Sequence, residues 1–272
     1  LNLIDRKSDG KSLQKIMRIW MLKYTNYKRN IWDNSVLSKR IISWILNVDI
    51  ILNNGFFEFK RNFLQSIISQ SNHLKKNIKF EDSFSNKIEM ITAILLSGLV
   101  FKEYEENYNV AIKELERLVK TFFDKDGFPL TRNPGDLIFF LKHLIVCKEC
   151  IKDAQKYVPD FLESVINKSL ICIKNILTPH DKLPLFNGAT EEDLLQLNKF
   201  IVSKKLKIKE KKDLVGGIKV FKFKNSFVYF DVSEPPKKGF SRNYQSGPLS
   251  IEYYLDGNKI ITNCGFGSKI SS

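Results

Sequence analysis

Residues 218–232, IKVFKFKNSFVYFDV, decide the fold. Apolar side chains at Ile218, Val220, Phe221 and Phe223 give way to Lys224-Asn225-Ser226 and then resume at Phe227, Val228, Tyr229, Phe230 and Val232. Two β-branched and aromatic runs about a short polar break predict a hairpin. A second pair follows, Leu249 to Leu255 and Lys259 to Cys264, joined at Asp256-Gly257-Asn258. Asp-Gly between alternating apolar runs is among the strongest short-range hairpin signals, because both turn positions need positive φ. The C-terminal part of the chain therefore reads as antiparallel sheet.

Upstream the period is different. To about residue 200 apolar residues recur every three or four positions, which predicts helices near 12–24, 35–53, 57–79, 84–101, 107–123, 134–156, 160–177 and 190–202. In the segment from Ser35, residues Leu37, Ile41, Trp44, Ile45 and Val48 share one face, and Lys39, Arg40 and Asn47 lie elsewhere. Asn54-Gly55 closes one helix, Pro134 suits the first turn of another, and Pro159 and Pro179 bracket a third. Consecutive helices with short loops imply antiparallel pairs packed on one another. The division falls at the lysines 204, 205, 207, 209, 211 and 212, followed by Gly216-Gly217, which read as a solvated linker or a lysine-protected sheet edge. Two domains are expected, 1–203 helical and 204–272 the start of a β-domain.

The chain of 272 residues is long enough for a substantial core, and 43% hydrophobic and 12% aromatic residues exclude a disordered basic tail. Lys and Arg number 44 against 30 Asp and Glu, a formal charge of +14 that favours acidic partners, although a composition rich in Lys, Asn and Ile accounts for part of it. No signal peptide and no membrane span is visible. The longest apolar run, Met90 to Phe101, falls short of the roughly 20 residues a helix needs, and Leu137 to Cys147 is interrupted by Lys142 and His143. A start at LNLIDRKSDG without Met and an end at GFGSKISS after uncovered strands read as a fragment. Cys147 and Cys150 form CKEC on a helix, with no second pair to complete a zinc site, and are read as ordinary helical cysteines beside Cys172 and Cys264.

Four segments resemble the heparinase II/III-like polysaccharide lyase superfamily, in an uncharacterised bacterial branch. They are Trp32 with Arg40-Ile41-Ile42-Ser43-Trp44; the loop Asp126-Gly127-Phe128-Pro129-Leu130-Thr131-Arg132-Asn133-Pro134; Leu185-Phe186-Asn187-Gly188-Ala189-Thr190-Glu191; and Ser241 to Tyr253, SRNYQSGPLSIEY, with Ile261-Thr262-Asn263-Cys264-Gly265. The resemblance implies an incomplete α/α toroid of antiparallel helix pairs followed by the start of an antiparallel β-sandwich, truncated here. It also implies a cell-envelope or periplasmic setting, an acidic polysaccharide as partner and substrate, and a second segment that enters the substrate cleft. No cofactor is evident in this sequence, and family members bind metal in the β-domain.

Such lyases remove the C5 proton of a uronic acid and expel the oxygen at C4. The neighbouring carboxylate resists further negative charge, so hydrogen-bond donors must neutralise it, and a base and an acid must handle the proton and the leaving oxygen. On this chain the resemblance assigns Tyr244 as base and acid, and Asn133 and Gln245 as carboxylate neutralisers. Arg132, Arg242, Asn187, His180 and Trp32 are assigned to substrate binding. The family's Tyr-His pair after Ser-Pro is replaced by Gly135, Asp136 and Leu137 after Asn133-Pro134, and its β-domain His by Gln245. Gln takes no proton at neutral pH but still hydrogen-bonds a carboxylate. Tyr ionises near pH 10, and Arg242 two residues away would favour the phenolate. His73 and His143 read as surface or packing residues on helices, and Trp32 and Trp44 as core or as sugar platforms. Three functions stay open: an acidic-polysaccharide lyase, a degenerate lyase fold that binds or helps assemble envelope glycan, and a basic helical-repeat protein that binds nucleic acid. The last leaves the strands unexplained.

Overall fold

The computed structural model describes residues 10–24, 27–53, 55–190, 194, 199, 212–242, 244, 247 and 249–263. Helices occupy the first part: α1 (Gly10–Lys23), α2 (Asn34–Leu46), α3 (Val48–Leu52), α4 (Phe57–Asn77), α5 (Phe84–Val100), α6 (Glu105–Phe122), α7 (Pro134–Asp153) and α8 (Asp160–Ile176). The strands are β1 (Leu214–Val215), β2 (Ile218–Phe223), β3 (Ser226–Asp231), β4 (Ile251–Leu255) and β5 (Asn258–Ile261). The helical expectation over 35–53 is met by two helices. They part at Asn47 (φ −117°, ψ 20°), whose side-chain amide donates to the Ser43 carbonyl at 2.8 Å and so competes with the helix ladder. The expected helix over 190–202 falls almost wholly outside the described residues, as do lysines 204–211.

The chain forms two compact units, one of residues 1–118 and 149–157, the other of 119–148 and 158–272. In the first, α5 is the buried centre. Its run from Ile88 to Gly98 is buried on every side, and α2 and α4 pack against it. Its ends are locally encoded: Ser83 caps the N-terminus by accepting from the Asn86 amide at 3.4 Å. Gly98 lies so close to α6 that a β-carbon would stand 2.3 Å from the Tyr108 nitrogen. Glu89, 4% exposed, accepts from the Ser35 hydroxyl at 2.8 Å and pairs with Lys39 at 3.5 Å.

In the second unit the strands follow sequence order, β1-β2-β3-β4-β5, all antiparallel. Tight turns at Gly216-Gly217, Lys224-Asn225 and Asp256-Gly257 make the connections, with positive φ at Gly216, Gly217, Lys224, Asp256 and Gly257. A longer link, 232–250, joins β3 to β4 and contains a short helical turn at Lys238–Phe240. The period-two pattern buries Ile218, Val220, Tyr229, Asp231, Glu252 and Tyr254, and α8 packs on β1 and β2. The Tyr229 hydroxyl fastens the sheet to the end of α8 by donating to the Leu177 carbonyl at 2.7 Å.

Candidate functional site

The loop between α6 and α7 is shaped by its own sequence. Asp124 folds back to accept from the amides of Asp126 at 2.9 Å and Phe128 at 2.8 Å, and Gly127 takes φ 85°, a conformation that favours glycine. Gly127 also lies against α8: a β-carbon there would stand 2.5 Å from that of Lys168. Burial raises the Asp124 carboxyl above its ordinary value, opposed by the backbone donors. Asp126 is held low, chiefly by its hydrogen bond from Lys212 at 2.7 Å. Cys172 donates to the Asp126 carbonyl at 3.2 Å, and burial pushes its thiol up to about 12.

Phe128, fully buried, lies over the β1–β2 turn, where a β-carbon on Gly216 would stand 2.3 Å from its ring. Arg132, at φ 58°, extends beneath the same turn. Its guanidinium donates to the carbonyls of Gly216 (3.3 Å), Ser233 (3.1 Å) and Glu234 and to the Asp231 carboxylate. Those bonds engage four of the five N–H donors of an arginine. The Arg132 carbonyl in turn accepts from the Asn187 side-chain amide at 3.0 Å. Arg132 and Asn187 are thus brought together, both buried and both clamping loops.

Asn133 is the cap of α7. Its side-chain oxygen accepts from the Gly135 amide at 2.7 Å, and the residue is buried. Around this clamp opens a cavity of about 770 Å³, walled by the loop from Asp124 to Arg132, the Gly216-Gly217 turn and the segment from Ser233 to Phe240. Exposed Lys125 and Lys237 stand on its lining.

Arg242 is exposed and Tyr244 half-buried, both in the irregular link before β4, so strand alternation does not govern which way they face. The Tyr244 hydroxyl is shielded from water and has no hydrogen-bond partner among the described residues. Gln245 lies outside the described residues. His180 is exposed, with its ring 5.9 Å from that of Tyr254. Trp32 belongs to the other unit. Its ring meets His73 edge-on at 5.4 Å, while His143 bonds the Phe139 carbonyl.

Sequence reasoning passes over two buried carboxylates. Asp231, 1% exposed, is the partner of Arg132. Glu252, with no exposure, accepts from the Leu185 amide and Lys259, each at 3.1 Å, and from the Tyr254 hydroxyl at 3.2 Å. An acid at an inward position of an aromatic strand was the available signal, since a charge is buried only when paired. Burial, then Glu252, raises the phenols of Tyr229 and Tyr254, so both act as donors at neutral pH. Among the described residues no three or more His, Cys, Asp or Glu side chains group as metal ligands.

Residues 211–271 match the family described as heparinase II/III-like, C-terminal. The heparan sulfate lyase HepC from Pedobacter heparinus superposes with a TM-score of 0.72 at 16% identity, over 94% of this chain and 45% of that one. A structure titled heparinase III gives 0.73 at 15% identity, covering 95% and 48%. The heparinase III BT4657 gene product gives 0.72 at 14% identity, covering 94% and 48%. The chain therefore spans less than half the length of these structures, and the likeness establishes the fold. Comparison with curated proteins finds no match.

Proposed function

We propose that this chain, heparinase II/III-like in its C-terminal sequence and in its fold, belongs to a polysaccharide lyase that cleaves an acidic, uronate-containing glycan by β-elimination. One observation carries the reading. The loop Asp126–Pro134, which resembles the loop entering the family's substrate cleft, walls a cavity of about 770 Å³, within the roughly 300–1,000 Å³ of small-molecule sites. In the proposed reaction Tyr244, as phenolate, takes the C5 proton. The electron pair forms the C4–C5 double bond, the C4–oxygen bond breaks, and the new phenol returns the proton to the leaving oxygen. Asn133 and Gln245 donate to the substrate carboxylate and lower the cost of the carbanion-like transition state.

The test is the ultraviolet absorbance of the unsaturated uronide during incubation of the protein with a panel of uronate polymers. Tyr244→Phe should abolish the signal, at least a hundredfold on the scale of lost general acid–base catalysis, while glycan binding persists. A second reading, a fold that binds acidic glycan without cleaving it, is favoured by Arg132, whose donors are mostly engaged internally. Binding by the wild type without any unsaturated product selects that reading.

A further inference from the structure

Residues 10–29, GKSLQKIMRIWMLKYTNYKR, contain Lys11, Lys15, Arg18, Lys23, Lys28 and Arg29 and not one Asp or Glu. Most of this stretch is α1, and helical spacing gives it two faces. Met17 and Met21 are buried, and the Gln14 side-chain nitrogen donates to the carbonyls of Ile51 (2.9 Å) and Asn53 (2.8 Å). That face is fastened to α3 and the residue after it. The other face is open. Ile16 is 66% exposed, Ile19 57% and Leu22 74%, with exposed Lys11, Lys15 and Lys23 among them on less than half of the helix circumference. Tyr27, Lys28 and Arg29, all exposed, follow the helix.

A lone exposed aliphatic residue is ordinary, but three on one helical stripe form a patch. Its charge is also uncancelled. Arg18, at the edge of the face, pairs with Glu58 at 3.8 Å. Lys11, Lys15, Lys23, Lys28 and Arg29 have no carboxylate within ion-pair distance among the described residues. Lys23 and Lys28 lie over the Tyr24 ring at 5.4 and 5.2 Å, contacts that leave their charge in place.

This composition selects a partner. A glycan or a nucleic acid would meet the cations but leave Ile16, Ile19 and Leu22 in water. An uncharged apolar surface would cover the aliphatic side chains but leave the cations unpaired. An anionic bilayer answers both, because acidic headgroups attract lysines while aliphatic side chains enter the boundary of the acyl region. Lysine stems lie along apolar surface and carry the ammonium group outward to that headgroup layer. We infer that the open face of α1 docks on an anionic lipid surface, with Ile16, Ile19 and Leu22 at the acyl boundary and Lys11, Lys15 and Lys23 on the headgroups. The contact is peripheral: no helix among the described residues is long and apolar enough to cross a membrane. The docking face does not depend on the lyase reading, which concerns the other unit.

The experiment sediments the 272-residue chain with sucrose-loaded vesicles of phosphatidylcholine, alone or with about one-third phosphatidylglycerol, in about 0.1 M salt. Binding to the mixed vesicles only is expected. Lys11→Glu/Lys15→Glu should weaken it about 25-fold or more, from roughly fivefold for each lysine at such a surface. The net charge of +14 would itself draw the protein to an anionic surface, so an equal change of charge elsewhere is the comparison. Lys113→Glu/Lys224→Glu, at exposed positions of α6 and the β2–β3 turn, should weaken binding by no more than about threefold. Ile19→Ser/Leu22→Ser leaves the charge unchanged and should weaken it about tenfold, through lost apolar burial. Circular dichroism of each variant checks that these surface changes leave the fold intact. Failure to bind the mixed vesicles, or equal binding to phosphatidylcholine alone, overturns the proposal. So does an equal loss from the two lysine pairs, or wild-type binding by Ile19→Ser/Leu22→Ser.

Discussion

Replacing Arg132 by Met tests whether the clamp between the α6–α7 loop and the sheet is as central as its geometry implies. The substitution keeps most of the side-chain volume but leaves Asp231, 1% exposed, without its cation, and strips the carbonyls of Gly216, Ser233 and Glu234 of a shared donor. Breaking a buried ion pair from one side costs about 3–5 kcal/mol. That is a large share of the roughly 5–15 kcal/mol that holds a typical domain folded. Arg132→Lys keeps the charge but not the fork that reaches several acceptors at once, and should lose an intermediate amount. The double variant Arg132→Met/Asp231→Leu should recover most of the loss, because no unpaired charge then remains inside. Urea unfolding followed by far-ultraviolet circular dichroism is the appropriate assay, since the tryptophans all lie in the other unit. A loss below about 1 kcal/mol for Arg132→Met, or a double variant no more stable than the singles, would refute the clamp.

Gly217→Ala should destabilise by about 2 kcal/mol or more, because the new β-carbon would stand 2.5 Å from the Arg132 guanidinium at φ 84°; the same unfolding assay reads it. Asp126 titrates lower in the folded chain than its ordinary 3.8 because Lys212 donates to it. Its contribution to stability is therefore present above that value and lost as pH falls through the lower, folded one. Asp126→Asn should flatten the acid limb of stability against pH below about 4, and an unchanged limb would remove the pair from the account. Cys172, pushed up from 9.0 to about 12 by burial, remains a thiol at pH 8. Iodoacetamide should leave it unlabelled in the native protein and label it in urea, as read by peptide mass spectrometry. Rapid native labelling would contradict its burial.

The elements were legible because they are local. Helical spacing places α4 through α8 within a few residues of their observed ends, and Asp256-Gly257 and Lys224-Asn225 mark turns that the backbone makes with positive φ. Where local signals compete, the sequence is harder to read. The amide of Asn47 divides one expected helix into two, and β1, two residues long, is too short to carry a period. The partners of the Arg132 guanidinium lie 84 to 102 residues away in the chain, and no periodicity reports pairing over such a distance. The resemblance drew attention to the loop Asp126–Pro134, whereas the ion pair that shapes it is legible only in three dimensions.

That separation changes what the net charge of +14 means. A cation bonded internally offers little to an acidic ligand: Arg132 is closed into its clamp, Lys212 reaches Asp126, and Lys259 serves the buried Glu252. Exposed Lys125 and Lys237 on the cavity lining, and exposed Arg242 in the link before β4, have no carboxylate within ion-pair distance among the described residues. Attraction to a polyanion rests on charges of this second kind, which are screened by salt over about 10 Å. Arg132 holds the Gly216-Gly217 turn and the Ser233-Glu234 segment, whereas Lys125 and Lys237 stand exposed on the cavity lining. The basic character of the sequence therefore counts toward an acidic partner only through its exposed members, and on the cavity lining Lys125 and Lys237 stand together with Asp124 and Asp126, the latter held low in part by Lys125 itself.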